Sequence, residues 1–126
     1  MKIRILKIMV KKEEIEEITN LIKEYKFDSI DKLPHLEFSI MQKLTDENLL
    51  KETFQKFELI KSVELRENER KQQYYSINYE LGDGTFVVIS LSFDKGKPLI
   101  INGFHAKRDY KKFERYLRKR FRHLFS

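Results

Sequence analysis

The stretch Gln72–Phe93, QQYYSINYELGDGTFVVISLSF, decides the fold because it contains two strand patterns joined by a tight-turn signal. Within Gln72–Leu81, two sets of side chains alternate: Tyr75, Ile77, Tyr79 and Leu81 on one side, and Tyr74, Ser76, Asn78 and Glu80 on the other. Gly82-Asp83-Gly84 is typical of a hairpin turn. Thr85–Phe93 is the most strand-like segment of the chain. The stretch therefore predicts a β-hairpin with one apolar side.

The flanking segments extend this hairpin into a meander. Asp94–Lys97 predicts a second tight turn, Pro98–Phe104 a following strand, and Glu58–Leu65 a strand before the hairpin. All four glycines lie in this half of the chain, and all but Gly103 fall in the two turns: Gly82, Gly84 and Gly96. The sequence therefore predicts a four-stranded antiparallel meander.

The preceding half of the chain is mainly helical in its spacing. We predict, in order, a strand over Lys2–Val10, a helix over Lys11–Tyr25, a connection over Phe27–Leu33, and helices over His35–Leu44 and Asp46–Phe57. Pro34 suits the start of the second helix, and Thr45 is the predicted N-cap of the third. Apolar stripes mark these two helices: Phe38, Met41 and Leu44 on the second, and Leu49, Leu50, Phe54 and Phe57 on the third.

A last helix is predicted from about Asp109, and it is amphipathic. Its apolar residues recur at intervals of three and four: Tyr110, Phe113, Leu117, Phe121 and Leu124. The sequence contains no internal repeat, low-complexity stretch or linker. We therefore predict a single α+β domain over residues 1–126, with an N-terminal strand and helices, the four-stranded meander and a C-terminal basic amphipathic helix.

The positive charge of the chain is concentrated in this last segment. Residues 107–126 contain nine Lys or Arg against two acids, a net charge of +7, whereas the whole chain carries +6. Such a local field attracts polyanions, so RNA or another nucleic acid is the favoured partner. The predicted nucleic-acid contacts are Lys107, Arg108, Lys111, Lys112, Arg115, Arg118, Lys119 and Arg122. An acidic protein, including an antitoxin-like inhibitor, and a plain solvated surface remain alternatives.

Other chemistries are not expected from this sequence. There is no Cys, and the three histidines lack metal-ligand spacing, so neither a metal site nor a cofactor is expected. The apolar stretch Met1–Val10 is short and is followed by the charged segment Lys11–Glu17. We therefore expect no signal peptide, no membrane partner and a cytoplasmic location.

Two groups of residues could carry acid–base chemistry. His105 directly follows the last predicted strand, where side chains reach solvent, although a lone histidine is more often structural. Glu64, Arg66 and Arg70 lie around the connection between the first two meander strands, and Glu64 and Arg66 share one face of a strand. A general base beside a cation suits transfer at a phosphodiester. A charged hairpin loop would contain the same residue types.

The element order resembles that of the RelE/barnase-like ribonuclease toxin superfamily, in particular the small toxins of toxin–antitoxin pairs. Pro34-His35-Leu36-Glu37-Phe38 through Ile60 looks like the helix pair of that group, and Tyr75–Phe104 looks like its central antiparallel sheet. In the family, basic residues, a His or Tyr and sometimes a Glu act on the open sheet face and just after the last strand. By this likeness His105 and Tyr110 match the post-strand position, and Glu64, Arg66 and Arg70 match the first meander connection.

The resemblance implies metal-free cleavage of RNA. Glu64 would take the 2′-hydroxyl proton, the oxygen would attack the adjacent phosphate, and His105 would protonate the leaving 5′-oxygen. Arg66, Arg70 and Lys107 would neutralise charge on the phosphorane. Two alternative functions do not involve catalysis. One is a nucleic-acid-binding module in which Tyr74 and Tyr75 stack on bases, and the other is an inhibitor or adaptor domain that uses the basic helix against an acidic protein.

Overall fold

The computed structural model describes residues 3–126, apart from the side chain of Asp94. Over that range the chain forms four α-helices: α1 Lys12–Ile22, α2 Pro34–Met41, α3 Glu47–Phe54 and α4 Tyr110–Arg120. It also forms six β-strands: β1 Arg4–Met9, β2 Asp31–Lys32, β3 Ile60–Glu67, β4 Gln73–Glu80, β5 Phe86–Asp94 and β6 Lys97–Ala106. The predicted α+β class is confirmed. Lys2, where the first strand was predicted to begin, lies outside the described residues.

The described strands form one mixed sheet in the order β1-β3-β4-β5-β6-β2. Strands β3 to β6 pair antiparallel in chain order, as predicted for the meander. Strand β1 pairs antiparallel with β3 at one edge. At the other edge the short strand β2 runs parallel to β6, with Asp31 opposite Leu99 and Lys32 opposite Ile100. The predicted four-stranded sheet is therefore wrong, because the pairings of β1 and β2 join distant segments and leave no signal in local alternation.

One face of the sheet carries the main hydrophobic core. Helices α1, α2 and α3 contribute buried side chains that include Ile18, Ile22, Leu36, Leu50 and Phe54. The sheet supplies alternate residues, among them Val63, Ile77, Tyr79, Val87, Ile89, Leu91 and Ile100. This is the apolar side that the alternation in β4 predicts. We call it the helical face.

Helix α4 crosses the opposite face of the sheet. Tyr110 and Leu117 are buried beneath it, and Tyr110 clusters with Phe86, Val88 and Ala106. The ring of Phe86 lies 5.4 Å from that of Tyr110 in an edge-on arrangement. We call this side of the sheet the α4 face.

Single aspartates cap the starts of α3 and α4. Asp109 caps α4 by accepting a hydrogen bond from the backbone N–H of Lys112 at 3.0 Å, which agrees with the predicted start. Asp46, not Thr45, caps α3, because its carboxylate accepts from the backbone N–H of Leu49 at 3.1 Å. The N-cap prediction for Thr45 is therefore wrong by one position.

The apolar stripe predicted for the second helix does not pack. Helix α2 ends at Met41, and Phe38, Met41 and Leu44 are 60%, 76% and 76% exposed. Leu36 is the buried residue of this helix instead. Among residues 3–126, no helix combines the length and the apolar character that crossing a bilayer requires.

Candidate functional site

The exposed side of α4 and its flanks carries the cations that the sequence singled out. All of them are exposed: Lys107, Arg108, Lys111, Lys112, Arg115, Arg118, Lys119, Arg120 and Arg122. We call these residues the cationic surface. Within the described part of the chain, its one ion pair joins Arg118 Nε to Glu114 Oε2 at 3.8 Å. The surface therefore presents nearly all of its charge to solvent.

Aromatic rings hold two of these cations in place. The Arg108 guanidinium lies 4.9 Å from the ring centroid of Phe113 and 5.7 Å from that of Phe86. The Arg118 guanidinium lies 4.6 Å from the ring centroid of Phe125. Cation–π contacts of this kind orient a guanidinium without neutralising its charge.

A buried polar network lies on the α4 face. Glu64 is fully buried, and its Oε1 accepts from Arg66 Nη2 at 2.6 Å and Nε at 3.1 Å. Asn78 Nδ2 donates to Glu64 Oε2 at 2.8 Å and to Ser62 Oγ at 2.9 Å. The Ser62 and Tyr110 hydroxyls complete the network at 2.8 Å. It links β3, β4 and α4 through one carboxylate.

The network shifts the pKa of two of its members. Burial of Arg66 is the largest single effect and disfavours its charged form, but the Glu64 carboxylate and the Tyr74 side chain together outweigh it and raise the pKa of the guanidinium. Burial raises the pKa of the Tyr110 hydroxyl well above its ordinary value, and the hydrogen bond with Ser62 offsets only part of that rise. Arg66 is thus held as a cation and Tyr110 as a neutral phenol.

A cavity of about 880 Å³ opens on the part of the α4 face that α4 leaves uncovered. Its lining includes Arg66, Tyr74, Asn78, Phe86, Phe104 and Phe113. We call it the sheet cavity. It combines aromatic rings with the polar network, and Arg108 of the cationic surface also lines it.

His105 lies on the other side of the sheet. It pairs across the ladder with Val87, which is part of the core on the helical face. Its Nε2 lies 2.7 Å from Thr85 Oγ1, which lies 2.6 Å from Asp83 Oδ1. An ionised carboxylate only accepts, so the Thr85 hydroxyl donates to Asp83 and accepts from the Nε2–H of His105. In the neutral imidazole this arrangement places the proton on Nε2 and leaves Nδ1 as the nitrogen that can accept one.

Hydrogen bonding also favours the charged form of Asp83. The Thr85 hydroxyl and then the Thr85 backbone N–H hold the pKa of Asp83 below its ordinary value of 3.8. Lys107 lines the same surface hollow as His105, beside the start of α3. His105 is therefore linked through Thr85 to an ionised carboxylate and shares its hollow with a lysine.

The structure does not bring the predicted catalytic residues together. Glu64 and Arg66 form a pair, but His105 lies on the opposite face because successive strand residues alternate sides. Arg70 is exposed in the β3–β4 turn, where its backbone N–H donates to the Asn68 side chain at 2.9 Å. Tyr110 is buried in the core of the α4 face. The predicted pairing of Glu64 as base with His105 as acid is therefore corrected.

Sequence reasoning missed Asn78 as a site residue. The sequence does contain a signal, because polar residues occupy alternate positions of β4. Such a pattern predicts either a solvated sheet face or a polar site. The structure shows that this face is not solvated at Asn78, which is only 1% exposed and bonds to Ser62 and Glu64.

Within residues 3–126, no three His, Asp or Glu side chains come close enough together to hold a metal ion. Comparisons of the chain with protein-family models, with curated proteins and with solved structures found no match.

Proposed function

We propose that this protein binds nucleic acid through phosphate contacts made by the cationic surface, without chemistry at Glu64. The observation that carries the proposal is the exposure of all these cations with a single carboxylate contact, Arg118 to Glu114. A folded surface of this kind is ready to exchange counterions for phosphates.

Repulsion along the helix supports a polyanionic partner. Lys111, Arg115 and Lys119 follow one another at intervals of four residues, so each lies one turn from the next. Like charges at this spacing destabilise an isolated helix by about 0.2–0.5 kcal/mol per pair. A bound phosphate backbone would neutralise these charges and relieve the repulsion. A helix with a purely structural role has no use for such closely spaced like charges.

The salt dependence of binding tests the proposal. With four to six phosphate contacts, affinity for single-stranded RNA should fall by roughly 1.7 to 2.5 orders of magnitude between about 50 and 200 mM salt. Replacing Lys111, Arg115 and Lys119 by Gln should reduce the slope of log K against log salt by about 2 to 3. It should leave the protein as stable as wild type or slightly more stable.

A charge-matched variant is the control. Lys12, Lys23 and Lys56 are exposed and lie outside the cationic surface, so their replacement by Gln should leave the slope unchanged. If both triple variants lose the same amount of RNA affinity, the effect comes from net charge alone and the proposal is contradicted.

Poly-L-glutamate is the probe for an acidic protein. If it binds as tightly as RNA, the surface recognises carboxylates and the nucleic-acid proposal is wrong.

A second candidate is metal-free RNA cleavage at His105, which the Asp83–Thr85–His105 chain favours. In this scheme the imidazole Nδ1 takes the 2′-hydroxyl proton, and the 2′-oxygen attacks phosphorus as the bond to the 5′-oxygen breaks. The 5′-oxygen then takes a proton from the imidazolium, and Lys107 stabilises the phosphorane. Expression of such a ribonuclease would arrest growth, and an antitoxin-like protein would relieve the arrest.

The variant His105→Ala tests this second candidate in purified protein with EDTA present. Cleavage of single-stranded RNA should fall by roughly two to four orders of magnitude, the usual contribution of a positioned acid or base. His123→Ala, which removes an exposed imidazole, is the matched control and should cleave like wild type. No cleavage by any preparation, or equal cleavage by both variants, would leave only the binding function.

A further inference from the structure

The strongest unexplained feature outside the cationic surface is the amide oxygen of Asn78. Asn78 is 1% exposed, and its Oδ1 accepts no hydrogen bond within the described residues. The amide cannot be turned around, because Glu64 Oε2 only accepts and therefore requires Nδ2 on its side. Most buried polar atoms in folded proteins are paired, and leaving one unpaired destabilises the fold.

Arg66 places hydrogen-bond donors beside this acceptor. A guanidinium has five N–H groups, of which Glu64 accepts from the Nε and Nη2 atoms and the Tyr74 side chain takes a further contact, so N–H groups remain for a ligand. Arg66 keeps 27% of its side-chain surface exposed and lines the sheet cavity together with Asn78. Because both residues bond to the same carboxylate, the floor of the cavity offers an acceptor and donors close together. A planar heterocycle with adjacent donor and acceptor groups complements such a floor.

The cavity walls suit a flat ring. Phe86 is fully buried against Phe113, at 4.9 Å between ring centroids, so the ring that is open to a ligand at the rim is Phe104, which is 41% exposed. Tyr74 lines the same cavity. Aromatic side chains on an open sheet surface are the usual stacking partners of unpaired bases.

The position of the cavity connects it with the cationic surface. Arg108 belongs to that surface, lies against Phe113 and Phe86, and also lines the sheet cavity. A strand whose phosphates lie on the cationic surface can therefore turn one base into the cavity.

From these contacts we infer that the sheet cavity binds a single nucleobase, with its donor edge on Asn78 Oδ1 and its acceptor edge on Arg66. The inference rests on the proposed nucleic-acid binding and names the part of the ligand that the polar face of the sheet recognises.

Matched oligonucleotides separate the two claims. We would measure fluorescence anisotropy of a labelled uridine octamer and of an abasic octamer with the same phosphates, at one salt concentration. The intact octamer should bind on the order of 10- to 100-fold more tightly, the gain expected from one stacked and hydrogen-bonded base. Equal binding of the two would overturn the cavity site and leave the phosphate contacts standing. No binding of either would overturn the proposed function and the inference with it.

Variants locate the base. Phe104→Ala removes a half-exposed ring from the rim, and it should weaken the intact octamer about 10-fold without changing the abasic one. Phe38→Ala removes an exposed ring on α2 outside the cavity, so it should change neither. If Phe104→Ala leaves the preference for the intact octamer unchanged, the base binds elsewhere and the inference is wrong. Asn78→Leu should abolish the preference, and Phe104→Ala decides the question if that variant does not fold.

Uridine and adenosine monophosphate, titrated separately by NMR, distinguish a base within a strand from a free nucleotide. Shifts of cavity resonances with a nucleotide alone, lost in Phe104→Ala and absent with the octamer, would assign the cavity to a free nucleotide and overturn the inference that it binds a base within a strand. Shifts with the octamer on both the cavity and α4 support both proposals.

Discussion

At the scale of single residues, Glu64 is the clearest example of a charge whose role depends on burial. This buried carboxylate already accepts three hydrogen bonds, two from Arg66 and one from Asn78, so it organises its neighbours and is not held ready as a base. The sequence predicts correctly that Glu64 and Arg66 share a strand face. It does not show that α4 and Asn78 close over that face, since burial depends on elements distant in the chain.

Breaking this ion pair on one side should be more damaging than removing both charges. Arg66→Met leaves a buried carboxylate without its cation and should destabilise the protein by up to about 3–5 kcal/mol. The loss should lie toward the lower end because Arg66 is 27% exposed. Adding Glu64→Gln should recover part of it. Urea denaturation of the two single variants and the double variant measures the coupling, and additive losses would contradict the assigned pairing.

At the scale of elements, α4 combines an anchoring side with a cationic side. Leu117 is 2% exposed beneath the helix, whereas Phe113 is only half-buried. Leu117→Ala should therefore lower the free energy of unfolding by about 2–5 kcal/mol, the range for a buried leucine. Arg115→Ala on the exposed side should change it by no more than about 0.5 kcal/mol. Chemical denaturation checks both, and a small effect of Leu117→Ala would mean that α4 is not anchored through this residue.

The elements also show how far local patterns extend. The alternation in β4 correctly assigns Tyr79 to the core, where its hydroxyl donates to the Phe54 carbonyl at 2.8 Å. The same type of reasoning is wrong for Phe38, Met41 and Leu44, because helical spacing defines a stripe without specifying what covers it. The spacing of apolar residues identifies a helix or a strand. Which of those residues are buried depends on the neighbouring elements that pack against it.

At the scale of the whole molecule, the pairings that complete the sheet join segments far apart in the chain. Ile8 forms a parallel bridge with Phe125, and the Ser126 backbone N–H donates to the Ile8 carbonyl at 3.3 Å. The Ser126 hydroxyl donates to Glu14 Oε1 at 2.5 Å, and Lys7 Nζ lies 3.2 Å from Glu14 Oε2. These contacts hold α1, β1 and the segment after α4 together. No local pattern predicts them, which is also why the sheet cavity, formed by the same topology, was not predictable from the sequence.

These long-range contacts should make the protein lose stability in acid. The Ser126 hydroxyl and Lys7 hold the pKa of Glu14 below 4.5, and Lys51 holds that of Asp28 below 3.8. A carboxylate whose pKa is lower in the folded than in the unfolded state stabilises the fold above its unfolded pKa, and this stabilisation disappears as the pH falls through the folded pKa. The free energy of unfolding should therefore be nearly constant above about pH 5 and fall steadily below it.

Glu14→Gln should be less stable than wild type near neutrality and should show a shallower decline in acid. Glu17→Gln, an exposed glutamate on the same helix, is the control and should follow the wild-type curve. Urea denaturation at a series of pH values gives these curves. If wild type and Glu14→Gln decline in parallel, the contact between Glu14 and Ser126 does not stabilise the folded protein.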